Sequence, residues 1–275
     1  MRSLKKIVIL VSSALLIMYV LFPIYWIFVT SIKWYRDIVV PNPSIIPLNP
    51  TLDNYERLFG RDYTFQMYVT NSLLVGSGVV LITLLCSSLA GYGLARLKFK
   101  NRNTVSNLLL LAYVTPPAVL LIPFFAIISW LGLINTLYSL LIVYPVFTIP
   151  FSTWLLKSFF EELPVEVEEA AMIDGAGIFK IFRYIAIPLA APALAVVIAY
   201  SLVFSWTEYM FAFTFIRSEE LKTVPVALAH SITVYHVDWG LLTAGAVIGI
   251  LPVLLLFIPI ARYMIKGLAL GGRKG

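Results

Sequence analysis

Six long apolar stretches, at roughly residues 7–31, 69–94, 105–128, 136–156, 187–215 and 241–263, leave this chain one kind of fold. About 20 apolar residues are needed for a helix to cross the hydrocarbon core of a bilayer. Inside that core the backbone must satisfy its own polar groups, which an uninterrupted helix does. The expected fold is therefore an all-α integral membrane protein with six transmembrane helices. Hydrophobic residues make up 60% of the chain and charged residues 12%, with a mean hydropathy of +0.93, which excludes an ordinary soluble domain. Several stretches contain proline, which membrane helices tolerate when neighbours re-satisfy the freed backbone groups. Thr115-Pro116-Pro117 is expected to kink the third, and the fifth is long enough to tilt or to include an interfacial turn.

Orientation follows from the basic residues, which favour the cytoplasmic side. With both termini inside, the cytoplasmic segments hold 14 of the 20 lysines and arginines; Lys33, Arg36, Arg57, Arg61, Arg217 and Lys222 fall outside. The net charge of +6 thus describes orientation, and no basic soluble face suggests nucleic acid. Met1 to Lys6 and the following run resemble a signal peptide only superficially: the run is too long and no clear small-x-small site follows. Cys86 is the one cysteine, so an internal disulfide is impossible. A single domain over residues 1–275 is expected. Outside the membrane, residues 33–68 read as an extended proline-rich crossing and a short surface helix near Leu52-Asp53-Asn54-Tyr55. Residues 217–240 are amphipathic and expected along the membrane surface.

The sizeable polar segment able to fold as helix is the loop at 157–184. Glu166, Glu168 and Glu169 crowd its first turn after Pro164, where acidic side chains suit the positive helix end and proline the opening position. Ala170 and Ala171 are strong helix formers that let another protein approach the backbone. Gly175, just after Asp174, can take the left-handed conformation that stops a helix. A second amphipathic helix should follow, with Ile178, Ile181, Phe182 and Ile185 on one face. The segment has the shape of a plug for a groove.

This pattern resembles the coupling loop of bacterial and archaeal ABC importer permeases: Glu-Ala-Ala, three residues, Gly, about nine residues, then Ile-x-Leu-Pro. Here the elements are Glu169-Ala170-Ala171, Gly175 and Ile185-Ala186-Ile187-Pro188, with isoleucine in place of leucine. Nearly the whole chain is similar to the carbohydrate branch of that family. Asn71-Ser72 opens the second span, and Ala90-Gly91-Tyr92-Gly93-Leu94-Ala95-Arg96 closes it with small residues suited to tight crossing and an interfacial arginine. Trp206-Thr207-Glu208-Tyr209 resembles the family's Trp-Asn-Glu/Asp-Phe element, with threonine for asparagine. The end, Gly267 to Gly275, resembles its Gly-Leu-Thr-x-Gly-Ala-Val-Lys-Gly tail, which in the family reaches toward the ATPase pair. By composition it is a flexible basic tail that contacts lipid head groups.

The resemblance implies half of a sugar or oligosaccharide pathway, with Glu168, Glu169, Ala170, Ala171, Asp174, Gly175 and Ala176 coupling to a separate ATPase. It implies a homologous second permease subunit, an ABC ATPase dimer that binds ATP and Mg, and an extracytoplasmic sugar-binding protein, in the cell membrane of a bacterium or archaeon. Glu208 is the one acidic residue placed inside a span, where a bare carboxylate is costly. It lines the pathway or outer gate with Trp206 and Tyr209, or it is satisfied by a buried hydrogen bond or the interface.

The chain lacks a Gly-x4-Gly-Lys-Ser/Thr phosphate loop, a zinc signature around His230 and His236, and any nucleophile–base set, so no enzymatic activity or cofactor is expected in it. A secondary carrier would call for an inverted repeat and more buried ionisable groups. An ABC importer for a non-sugar solute would share the same architecture.

Overall fold

The computed structural model describes residues 2–60, 65–232 and 237–271. Arg61, His236 and Gly272 to Gly275 lie outside them. Among the described residues the regular structure is helical, and no strand longer than an isolated bridge forms. In chain order they form α1 (Arg2–Ser31), α2 (Tyr35–Ile38), α3 (Asp53–Leu58), α4 (Phe65–Arg96), α5 (Arg102–Val114), α6 (Pro117–Trp130), α7 (Leu137–Glu162) and α8 (Val165–Ile173). Then follow α9 (Ile178–Ile181), a π turn (Phe182–Ala186), α10 (Ile187–Leu189), α11 (Ala191–Thr207), α12 (Met210–Phe215), a 3-10 turn (Glu219–Leu221), α13 (Val224–Ala229) and α14 (Trp239–Gly271).

Four of these are long and apolar enough to cross a membrane alone: α1, α4, α7 and α14. The count reaches six if each of two bent pairs is one span. The first pair is α5 with α6, where the expected kink is a turn of 96°. A residue before proline is driven from the helical to the extended region. Thr115 precedes Pro116 and Pro116 precedes Pro117, so both go extended, with ψ of 122° and 128°. The second pair is the run from Ile178 to Leu189 with α11, bent by 77°. Residues 187–189, read as the start of the fifth span, belong to the bent-off arm, and the span breaks again at Glu208. The expected tail is different too: Gly267 to Gly271 continue α14 as helix.

The chain divides into two compact units, residues 1–67 with 226–252, and residues 68–225 with 253–275. In the first, α1 presents its most apolar stretch with none of it buried. The expected surface helix is α3, and it is clipped to the end of α1. Buried Asn54 donates to the carbonyls of Ser31 and Lys33, both at 2.9 Å, and the hydroxyls of Tyr55 and Ser31 share a 2.7 Å hydrogen bond. Gly240 at the start of α14 gives Asn54 its room, since a Cβ there would lie 2.3 Å from Asn54 Oδ1. Asp238 caps α14 by accepting from the Leu241 amide (3.0 Å) and pairs with Arg57.

In the second unit α7 is the central post, with 61% of its most apolar stretch buried. It packs against α5, α6, α11 and α12. Tyr144, Phe147, Leu156 and Phe160 point into the core, and Phe147 stacks on Phe204 with ring centroids 5.7 Å apart. The Thr83 hydroxyl on α4 meets that of Thr148 on α7 at 2.6 Å. Of the segment expected to lie along the membrane surface, Lys222, Thr223 and Val224 are buried in this unit. Asn71-Ser72 holds it. Asn71 donates to the carbonyls of Glu220 (2.7 Å) and Lys222 (3.0 Å), and Ser72 Oγ accepts from the Val224 amide (2.9 Å).

Candidate functional site: the polar segment between α7 and α11

Helix α8 begins where α7 stops, with Pro164 in the capping position just before the first helical residue and Glu166 and Glu168 in the first turn. Its end is fixed by Gly175, whose φ of +82° is the left-handed conformation foreseen for it. The Ala176 amide donates to the Ala171 carbonyl (2.9 Å) and the Gly175 amide to the Met172 carbonyl (3.0 Å). Those paired bonds make a Schellman motif, which consumes carbonyls that α8 would otherwise leave open. No atom lies within 4 Å of a Cβ built on Gly175, so only its backbone angle demands glycine.

The surface α8 offers is small on one side and apolar at its tip. Glu169, Ala170, Asp174 and Gly175 are exposed, and Ala171 and Ala176 are half-buried. Beside them project Met172 at 51% exposure, Ile173 at 87% and Phe179 at 67%. These three large apolar side chains were not singled out from sequence. Their signal was the large apolar pair Met172-Ile173 directly before Asp174-Gly175, and Phe179 just after Gly177.

Glu168 sits apart from this surface. It is buried at 3% exposure and accepts from Arg96 Nε at 2.9 Å and from the Tyr92 hydroxyl at 3.0 Å. Arg96 Nη2 also donates to the Leu163 carbonyl at 3.1 Å. Helix periodicity explains the split: Glu168 and Ala171, three apart, face inward, while Glu169 and Ala170 turn outward. The family-like Ala-Gly-Tyr-Gly-Leu-Ala-Arg string on α4 thus supplies both partners of Glu168. Gly91 has a packing role, since a Cβ there would meet Leu156 Cβ at 3.0 Å and the Lys157 amide nitrogen at 3.1 Å.

After Gly177 the chain is one irregular helix. The Ile187 amide reaches back five residues to the Phe182 carbonyl, so Phe182–Ala186 is a π turn. One residue is thereby inserted, and the buried positions fall at Ile181, Ala186 and Ala190, spaced five and then four. The expected inward face is changed: Ile181 is buried and Phe182 and Ile185 are half-buried, but Ile178 is exposed. Phe182 packs on Tyr92 with ring centroids 5.1 Å apart, and Tyr92 meets Phe160 edge to face at 5.4 Å. Ala186, Ala190, Ala193 and Val197 join Tyr92, Leu156 and Phe160 in one core cluster.

Trp206, Glu208 and Tyr209 do not converge on one point. Trp206 is buried and Tyr209 is 40% exposed, stacked on Phe213 at 5.3 Å. Glu208 lies in the break between α11 and α12. Its carboxylate accepts from the Phe211 amide (2.8 Å), the Ala212 amide (3.1 Å) and the buried Tyr144 hydroxyl (2.6 Å). Of the two readings of this residue, the hydrogen-bonded one has the geometry behind it. Among the described residues no group of three or more His, Cys, Asp or Glu could hold a metal ion.

Residues 83–268 match the sequence profile of a family described as "Binding-protein-dependent transport system inner membrane component". The trehalose/maltose transport system permease protein MalG of Thermococcus litoralis is 34% identical over 275 residues, covering 99% of this chain and 98% of that protein. The sulfoquinovosyl glycerol transport system permease protein SmoH of Agrobacterium fabrum is 33% identical, covering 96% of this chain and 93% of the relative. A solved bacterial ABC transporter involved in import of the acidic polysaccharide alginate has the same fold, with a TM-score of 0.79 at 23% identity over 95% of this chain and 96% of its own. The chain therefore belongs to the binding-protein-dependent transport inner-membrane components, and is a multi-pass protein of the cell membrane.

Proposed function

We propose that this chain is the transmembrane permease subunit of an ATP-driven sugar or oligosaccharide importer. It forms half of a translocation pathway, with a homologous permease subunit supplying the other half. Both termini and the segment at 157–184 are cytoplasmic, following the bias of basic residues. An ABC ATPase dimer binds ATP and Mg, an extracytoplasmic sugar-binding protein delivers solute, and membrane lipid surrounds the spans.

The observation that carries this reading is α8 itself. It is a short helix with a small, exposed Glu169–Ala170 side, an apolar tip at Ile173 and a glycine-locked end. Met172, Ile173 and Phe179 fill a groove on the ATPase, and Glu169 and Asp174 bring charge to its rim. Closure of the ATPase pair moves α8 and so tilts the spans between inward- and outward-open arrangements. The sugar class rests on relatives named for trehalose/maltose, sulfoquinovosyl glycerol and diacetylchitobiose transport. Trp206, Glu208 and Tyr209 are assigned to the neighbourhood of the pathway, where Glu208 acts by holding the α11–α12 break rather than by touching solute.

The test is to purify the membrane complex by a tag on this chain, reconstitute it and follow ATP hydrolysis with and without Gly175→Pro. Proline cannot adopt φ of +82° and lacks the amide that bonds Met172. A separate ATPase that co-purifies, and is released or uncoupled by the substitution, supports the reading. A preparation with no ATPase, or one indifferent to Gly175→Pro, contradicts it and brings an ion-coupled carrier forward.

A further inference from the structure

We propose that Arg96, Tyr92 and Glu168 form a positioning strut that makes α8, the end of α4 and the end of α7 one rigid block. Movement of α8 is thereby delivered to α4 and α7 first, and to α11 only through a compliant joint. This rests on the proposed docking of α8 to an ATPase, and assigns its direction of transmission.

The stiff side is built from directional, largely buried contacts. The Glu168 carboxylate is held at both oxygens, by Arg96 Nε at 2.9 Å and the Tyr92 hydroxyl at 3.0 Å. Arg96 uses a second nitrogen on the Leu163 carbonyl, at the junction of α7 and α8. A planar guanidinium serving two acceptors fixes orientation as well as distance, which a lysine cannot do. Its side chain is 12% exposed and that of Glu168 4%, so the pair is largely shielded from water. One turn back, Gly91 brings α4 against the α7 backbone, with Thr153 O 3.2 Å from where a Cβ would be. A contact between backbones has no side chain to rotate and no slack to absorb motion.

The other side is built differently. Between α9 and α11 lie a π turn, a proline that offers no amide to the ladder, and the 77° bend. Each is a place where a helix bends or shifts register. Among the described residues no ion pair ties this arm to α4 or α7, where Arg96–Glu168 ties α8 to α4. The arm packs through Phe182, Ala186 and Ala190 on Tyr92, Leu156 and Phe160, apolar contacts with no directional bond.

The test uses the intact complex in vesicles, with co-purified ATPase as the assembly readout and solute moved per ATP as the coupling readout. Glu168→Gln keeps the volume and one acceptor but removes the charge; Arg96→Lys keeps the charge but loses the two-acceptor fork. Both should retain the ATPase and lower solute per ATP about tenfold, the order of a coupling energy between sites. Combining Arg96→Lys with Glu168→Gln should lower the ratio no further than either change alone, a non-additivity that reports pairwise coupling. Unchanged coupling in Glu168→Gln overturns the strut, as does an assembled double variant in which the two losses multiply. Loss of the ATPase from both single variants makes the pair a folding element and also overturns it. Wild-type complex lacking an ATPase contradicts instead the function on which the inference rests.

Discussion

Glu168 and Glu208 are two carboxylates, 40 positions apart, that the fold satisfies in opposite ways. Each accepts from a tyrosine on a neighbouring long helix, Tyr92 for the first and Tyr144 for the second. Beyond that they diverge. Glu168 is neutralised by a cation, Arg96, and so ties two helices of different origin together. Among the described residues Glu208 has no such cation; its partners are the first free amides of α12, the positive end of a short helix. One acid is a bolt between elements and the other a cap within one connection. In a chain this apolar, what satisfies a charge decides what the charge does.

That contrast predicts unequal responses to truncation. Glu168→Leu leaves Arg96 buried without a counter-charge, at a cost of about 3–5 kcal/mol, seen as a large drop in the thermal midpoint of the purified complex. Adding Arg96→Leu should recover most of the loss, because the unpaired charge leaves with it. A double variant as unstable as the single one would show that the pair is not the unit described. Glu208→Leu should cost less, about 2–3 kcal/mol for hydrogen bonds to a charged group. Tyr144→Phe should not rescue it, since the Phe211 and Ala212 amides still lack an acceptor. Rescue would move the weight of Glu208 from the cap to the tyrosine. The smallest effects belong to the tyrosines alone: Tyr92→Phe and Tyr144→Phe should each cost about 1 kcal/mol. Tyr144→Phe should be the larger, given its shorter bond; a reversed order would contradict the geometry of the two sites.

Much of this was written plainly in the chain, and what was hidden was hidden for identifiable reasons. Apolar runs announce α1, α4, α7 and α14 because length and hydropathy alone decide whether a helix can span. The end of α8 was legible at Gly175, and the α5–α6 break at Pro116-Pro117, because both rest on backbone angles that single residues dictate. The depth of that break was not, as two extended residues turn a kink into a change of direction. The phase of α8 was illegible for a different reason. Glu166, Glu168 and Glu169 are equivalent on paper, and only the position of Arg96, 72 residues earlier, decides which turns inward. The interruption at Glu208 carries no proline or glycine to mark it, so span five read as continuous. Likewise Asn71-Ser72 was recognisable as a pattern, but its role appears only when residues 220–224 fold back onto it.

The central claim is that the outward side of α8, and not its inward side, meets an ATPase. Single cysteines placed by Ile173→Cys and Phe179→Cys, with the exposed native Cys86 changed to serine, test it by thiol cross-linking in the purified membrane complex. Glu168→Cys is the buried comparison. The account predicts adducts of this chain with a nucleotide-hydrolysing subunit from Ile173 and Phe179, and none from position 168. Adducts from position 168 alone, or none from either outward position in a complex that holds an ATPase, would contradict it.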